Sequence, residues 1–219
     1  MTVSVDNYIK TIYKQSKLLD ADTRLSTIAL LLNVSNAAAT DMARKLSLKG
    51  IVNYTKYKSL TLTDEGENLA LKVIRKHRLW ESFLFEILDL SLHEIHREAE
   101  QLEHQTSDFL TEKIDRYLGF PTFDPHGDPI PSINGEIKSD GSQIPLSEAE
   151  AGCMYTISRL YSSDEDFFEF CSSSHLTIGV SIWIEKQYKS NGMTEIIIDQ
   201  NKIILNQDIS NIIYVKQVN

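Results

Sequence analysis

The feature that most limits what this chain can fold into is a single change of apolar period. Up to about residue 118 apolar residues recur at helical spacing, and from about Leu146 they alternate in short runs. Between them lies GFPTFDPHGDPIPSINGEIKSDGSQIP, residues 119–145, which holds the chain's five prolines and four of its nine glycines. Proline fixes φ and removes a backbone donor, while glycine frees the backbone, so such a stretch reads as a linker or long loop. A helical part and a separate β part are expected, giving a chain that is mainly α with β.

The helical part opens with a stripe from Val5 to Leu19: Val5, Tyr8, Ile9, Ile12, Tyr13 and Leu19. A polar connector, DADTRLS, leads to a short apolar run, Thr27–Leu32. Asn33-Val34-Ser35-Asn36 breaks it, with Asn33 suited to a tolerant backbone position in the turn. Ser35 is a good N-cap for a helix from Asn36 to Leu48, and Gly50 is its stop. That helix turns Ala39, Met42, Ala43 and Leu46 inward. IVNYT and SLTLT then form a β-hairpin around the basic tip KYK. Helix, short helix, tight turn, second helix and hairpin make an N-terminal winged helix-turn-helix.

In such a module the N-terminal end of the second helix enters the major groove. Ser35, Asn36, Ala37, Ala38 and Thr40 would lie nearest the bases. Arg44, Lys45, Lys49, Lys56 and Lys58 would meet phosphates. Charge supports this: residues 1–80 carry 13 Lys+Arg against 7 Asp+Glu, inside a chain whose net charge is −9.

A long helix is expected from Thr63 to about Leu88. Its apolar residues Leu69, Val73, Ile74, Trp80, Phe83, Leu84 and Ile87 exceed what a small winged domain covers, which points to a subunit interface and a homodimer. A second helix is expected from about Leu92 to Leu118. Arg75 to His104 carries four of the six histidines, with carboxylates at helical spacing: His77 and Glu81, His96 and Glu100, Glu100 and His104, with Glu103 adjoining. A lone histidine in a charged helix is usually solvated, but imidazoles and carboxylates converging from two helices suit a divalent transition metal. His93 belongs to HEIH, which is not the HExxH zinc-protease pattern, and nothing marks a general base in a substrate cleft. The expectation is therefore not an enzyme.

After the linker, YTISRLY, HLTIGVSIWIEKQY, MTEIIIDQNKIIL and NIIYVKQV read as strands of a small barrel of about five, interrupted by a short helix near Glu165–Cys171. Two cysteines are too few for a disulfide framework or a cysteine zinc site. No run of about 18 apolar residues exists, so no membrane partner is expected, and no signal peptide is read in MTVSVDNYIK. A cytoplasmic location is the expectation. The domains are set at 1–72 (winged helix-turn-helix), 73–143 (helical metal-binding and dimerisation domain) and 144–219 (C-terminal domain).

DNYIKTIY at 6–13, VSNAAATDMARKL, RKHRLWE at 75–81, IHREAEQLEH at 95–104 and PHGDPIP at 125–131 together resemble the diphtheria toxin repressor and manganese transport regulator family of metal-dependent transcriptional repressors. The streptococcal manganese-responsive members look most similar. The resemblance covers essentially the whole chain and implies an SH3-like small β-barrel at the C-terminus and two neighbouring metal sites. One would use His77, Glu81 and His96 with a contribution from the C-terminal domain, for which Asp164 and Asp166 are candidates. The other would use Glu100, Glu103, His104 and position 7, which is Asn7 where relatives carry Asp or Met. Glu100 stands where the iron-sensing branch has cysteine, and a hard carboxylate favours Mn²⁺ or Fe²⁺. Asp124 and His126 stand where the streptococcal members have Cys and His, so the loop is a further candidate metal site. The resemblance implies a repressor that senses Mn²⁺ or Fe²⁺, with Zn²⁺, Co²⁺, Ni²⁺ or Cd²⁺ as substitutes in vitro. It would bind double-stranded palindromic operator DNA and control metal-ion homeostasis genes. The rival reading is a metal-independent winged-helix dimeric regulator.

Overall fold

A computed structural model describes residues 2–18, 21–56, 58–138, 141–162 and 164–218. The chain divides into two compact units. One comprises Met1–His77, Glu100–Glu112 and Pro131–Ile137, the other Arg78–Ala99, Lys113–Ile130 and Lys138–Asn219.

The first unit is the winged helix-turn-helix. Helix α1 (Val3–Ser16) buries Tyr8, Ile9, Ile12 and Tyr13 against Ile28 and Ala29 of α2 (Leu25–Leu31) and Ala39, Ala43 and Leu46 of α3 (Asn36–Leu48). Leu19, the expected end of the first stripe, lies outside the described residues. The Tyr8 hydroxyl donates to the Ala39 carbonyl at 3.0 Å, so α1 is also hydrogen-bonded to α3. Asn33 takes φ 51° in the turn, the left-handed region that asparagine tolerates better than most residues. Strands β1 (Val52–Asn53) and β2 (Thr61–Leu62) pair antiparallel as the wing. Helix α4 (Asp64–Leu88) starts where Thr63 Oγ1 accepts from Gly66 N at 3.1 Å. A Cβ on Gly66 would lie 2.1 Å from the Ile51 carbonyl oxygen, so only glycine lets α4 begin so close to the wing.

The surplus apolar face expected on α4 is largely covered within the chain. Val73, Ile74 and Leu84 are buried, and Trp80 and Phe83 pack on a small core of Leu79, Ile114 and Ile130. Phe85, Ile87 and Leu88 remain exposed. The single second helix expected from Leu92 to Leu118 is two: α5 (Leu92–Leu102) and α6 (Asp108–Tyr117). The break has a local cause. Thr106 Oγ1 donates to the Leu102 carbonyl at 2.7 Å, while Ser107 Oγ accepts from Leu110 N at 3.2 Å and opens the next helix.

The second unit is built on a six-stranded antiparallel sheet in the order β3-β8-β4-β5-β6-β7. Its strands are β3 (Ile144–Pro145), β4 (Met154–Leu160), β5 (Ser181–Tyr188), β6 (Met193–Ile198), β7 (Asn201–Leu205) and β8 (Ile213–Gln217). Irregularities at Ile157/Arg159 and Ile184/Lys186 shift the register, as bulges do in small sheets that must curve. The core joins Tyr155, Ile157, Ile182, Ile184, Ile196 and Val215 to Phe167, Phe168 and Cys171 of α7 (Glu165–Ser173). Five strands were expected; the sixth is the two-residue β3. A second short helix, α8 (Gln207–Ile212), replaces the first part of the expected last strand, because Asn206 Oδ1 accepts from Ile209 N at 2.9 Å and caps it.

Candidate metal centres and nucleic-acid face

Four potential ligands of the second unit converge. Glu81 comes from α4, His96 from α5, and Asp124 and His126 from the proline-glycine loop. Glu81, Asp124 and His126 are all buried and offer ligand atoms within 4.8 Å of one another. Glu81 Oε1 lies 2.9 Å from His96 Nδ1 and 3.6 Å from His126 Nδ1. His126 Nε2 is 3.0 Å from the Leu92 carbonyl oxygen. A carbonyl only accepts, so Nε2 carries a proton and Nδ1 of the neutral ring is left to ligate.

The loop is shaped for this. Asp124 Oδ1 accepts from the backbone amides of His126 and Asp128, both at 2.9 Å. Asp124 Oδ2 is buried without a hydrogen-bond partner, with Arg78 Nε 3.6 Å away. Gly127, at φ +83°, lets the loop press onto β4: a Cβ there would lie 2.1 Å from the Ser158 carbonyl oxygen. Leu160 N donates to the His126 carbonyl at 2.8 Å. Arg78 donates to the Pro129 carbonyl and Asp128, and Arg159 pairs with Asp128, which anchors the loop's far side.

The electrostatics of this cluster are those of a site short of positive charge. Burial, followed by the charges of Glu81 and Asp128, pushes the Asp124 carboxyl well above its ordinary range. Burial works to lower His126, but Glu81 and Asp124 outweigh it and raise the imidazole to about 9. Two buried carboxylates, an imidazole aimed at them and a carboxylate oxygen with no donor fit a divalent cation.

The second cluster belongs to the first unit. Glu100, Glu103 and His104 offer ligand atoms within 4.8 Å of one another. His77 Nδ1 lies 2.6 Å from Glu103 Oε2 and 3.7 Å from Glu100 Oε2. His104 Nδ1 lies 3.2 Å from Asp6 Oδ2 on α1. Asn7 Oδ1 is buried without a hydrogen-bond partner. A cation is already here: Lys10 Nζ is 2.7 Å from Glu100 Oε2 and 2.5 Å from Glu103 Oε1. Burial alone would raise Glu100, yet Lys10, with His77 and Lys14 behind it, holds that carboxyl below its ordinary range. Asp6 Oδ1 and His104 Nε2 are also buried without a hydrogen-bond partner, so what stands against a further cation here is the Lys10 ammonium on the two carboxylates.

Spacing alone had found His77, Glu81, His96, Glu100, Glu103 and His104. It missed Lys10, Asp6 and Arg78. Lys10 carried a usable signal, since it lies three residues after Asn7 and four after Asp6 and so shares their face of α1. Asp164 caps α7, accepting from Phe167 N at 2.9 Å, and Asp166 is exposed; among the described residues neither joins a metal-ligating cluster.

On the winged domain, Ser35 Oγ accepts from Ala38 N at 3.1 Å and caps α3. Ser35, Asn36, Ala37 and Ala38 are exposed, and Thr40 is half-buried with its hydroxyl donating to the Asn36 carbonyl. Arg44, Lys45, Lys49, Lys56 and Lys58 are exposed, with Lys45 2.7 Å from Asp41. The small side chains at the start of α3 thus face outward beside a cationic rim.

Comparison with known proteins gives matches along most of the chain. The model of the iron dependent repressor N-terminal DNA binding domain matches residues 1–60. That of the iron dependent repressor metal binding and dimerisation domain matches residues 63–132, and that of the FeoA domain matches 144–217. The diphtheria toxin repressor of Corynebacterium efficiens is 28% identical over 189 residues, covering 82% of this chain and 81% of that protein. A solved manganese-dependent transcriptional repressor in complex with manganese is 31% identical, with TM-score 0.90, covering 98% of this chain and 100% of that one. ScaR with bound Zn²⁺ is 32% identical, with TM-score 0.84, covering 98% and 99%.

Proposed function

This chain belongs to the diphtheria toxin repressor and manganese transport regulator family of metal-dependent transcriptional repressors, and from that premise we propose that it is a homodimeric repressor, not an enzyme, activated by Mn²⁺ or Fe²⁺ at Glu81, His96, Asp124 and His126. Three modules divide the work: 1–72 binds DNA, 73–143 senses metal and dimerises, and 144–219 braces the metal loop. Among the described residues no helix is long and apolar enough to cross a membrane, and the cytoplasm is the compartment in which such a regulator would act.

The observation that carries this reading is the orphaned Asp124 Oδ2 inside the buried Glu81–Asp124–His126 cluster. A bound divalent ion supplies the positive charge these carboxylates lack. The protein supplies the rest. Leu92 fixes the His126 tautomer, the Asp124 turn shapes the loop, and Arg78 holds the loop's backbone at the Pro129 carbonyl with its Nε 3.6 Å from the ligand oxygen. The donors are mostly carboxylate oxygen and imidazole, which suits Mn²⁺ or Fe²⁺, with Zn²⁺, Co²⁺, Ni²⁺ and Cd²⁺ substituting in vitro.

On the DNA side, α3 docks in a major groove with Ser35, Asn36, Ala37, Ala38 and Thr40 at the bases. Arg44, Lys45, Lys49, Lys56 and Lys58 meet phosphates. A two-fold dimer reads a palindromic operator, and the genes beneath it are those of metal-ion homeostasis. The test is fluorescence anisotropy on a palindromic promoter duplex. Mn²⁺ should tighten binding in the wild type and leave Asp124→Ala unchanged. A wild type with equal DNA affinity with and without Mn²⁺ is instead a metal-independent regulator.

A further inference from the structure

The Glu100–Glu103–His104 cluster has the donors of a metal site and a tenant that is not a metal. Lys10 projects from α1 with a side chain only 6% exposed, and Glu103, which it meets, is 0% exposed. Its ammonium touches Glu100 Oε2 and Glu103 Oε1 at hydrogen-bond distance. Glu103 Oε1 also lies 3.3 Å from His104 Nε2, so one carboxylate oxygen stands between the ammonium and the imidazole. The other oxygen of Glu103 is taken by His77.

A divalent ion in this cluster would bond these same oxygens at about 2.1 Å. An ammonium at 2.5 and 2.7 Å from them occupies the space such an ion requires. Two cations on one pair of buried carboxylate oxygens would also repel strongly in low dielectric. An incoming ion must therefore expel Lys10, breaking a buried double ion pair and leaving the ammonium to find water or another acceptor. The lysine is tethered to α1, so its local concentration at the site is high and permanent, and a dilute ion competes against it.

We propose that Lys10 is the resident cation of this cluster. The site does not take a divalent ion under conditions that fill the Glu81 site, and α1 is fastened to Glu100 and Glu103 whether or not metal is present. Metal control then runs through one ion per protomer. This inference rests on the reading of Glu81, His96, Asp124 and His126 as the responsive site.

The experiment counts ions. Mn²⁺ is titrated into the full chain, with free Mn²⁺ followed by its electron paramagnetic resonance signal. One bound ion per protomer is expected for the wild type and none for His126→Ala. Lys10→Gln should bind two, and Lys10→Gln combined with His126→Ala should bind one. Two ions in the wild type, or one that survives in His126→Ala, overturn the role of Lys10. A folded Lys10→Gln that still binds one also overturns it. If Lys10→Gln does not fold, the His126→Ala count decides by itself. A wild type that binds no Mn²⁺ contradicts the Glu81 site instead, and the gain of one ion on Lys10→Gln still decides the lysine.

Discussion

Asp124 divides its two oxygens between structure and chemistry. Oδ1 holds the loop by two backbone amides, and Oδ2 is left without a donor. Asp124→Cys would remove the first role and change the second. It should cost about 1–3 kcal/mol of stability through the abandoned amides. It should also shift preference from Mn²⁺ toward Zn²⁺ and Cd²⁺, as competition against a chelator would show. His126 next to it sets the pH response. Its folded value of about 9 lies above the ordinary 6.5, so the stability it lends the metal-free chain is complete below about pH 6.5 and lost as pH rises through 9. Asp124 is raised too, and its burial costs more as pH rises above the ordinary carboxylate range. Metal must displace these protons. Mn²⁺ affinity should therefore tighten from pH 6.5 to 8.5, by about tenfold per unit for each proton released. Calorimetry in buffers of different ionisation enthalpy counts those protons, and a flat affinity would contradict the assignment. Spacing made the six clustered helical residues legible as candidates, since side chains three or four apart must share a face. Their grouping was not legible. His77 turns to Glu103, while Glu81 meets both His96 and the loop residue His126, which lies 45 positions on. No helical period carries that information.

At the scale of elements, α3 was legible end to end. Its cap, its alanine face and its glycine stop all pointed the same way, and the helix runs Asn36–Leu48 as read. Ser35→Ala should cost about 1 kcal/mol of stability, measured by urea unfolding, and weaken DNA binding by loosening the first turn. The rim lysines differ in kind. Lys49→Ala and Lys56→Ala should each reduce the slope of log K against log salt by about 1 and weaken all DNA sequences alike. The break between α5 and α6 was harder to see. Serine and threonine occur within helices, and only the reciprocal bonds of Thr106 and Ser107 show that these two end one helix and begin another. Of the seven apolar residues of α4 read as an interface, most are covered within the chain and Ile87 stays exposed, for a related reason. Periodicity shows that a face is buried but not what buries it, and here Leu79, Ile114 and Ile130 supply much of the cover.

At the scale of the whole molecule, a winged domain with a positive third and a body rich in carboxylates make one chain with a net charge of −9. The charge segregation and the change of period were enough to anticipate a DNA-binding module, a helical module and a β module. Metal and DNA should be linked reciprocally in such a molecule: whatever factor Mn²⁺ adds to operator affinity, operator must add to Mn²⁺ affinity. The most direct measurement is that closed cycle, with operator affinity taken with and without Mn²⁺ and Mn²⁺ affinity with and without operator. The same factor is expected on both sides, about 5- to 150-fold, abolished in His126→Ala. Operator affinity that does not change with Mn²⁺ in the wild type would contradict it.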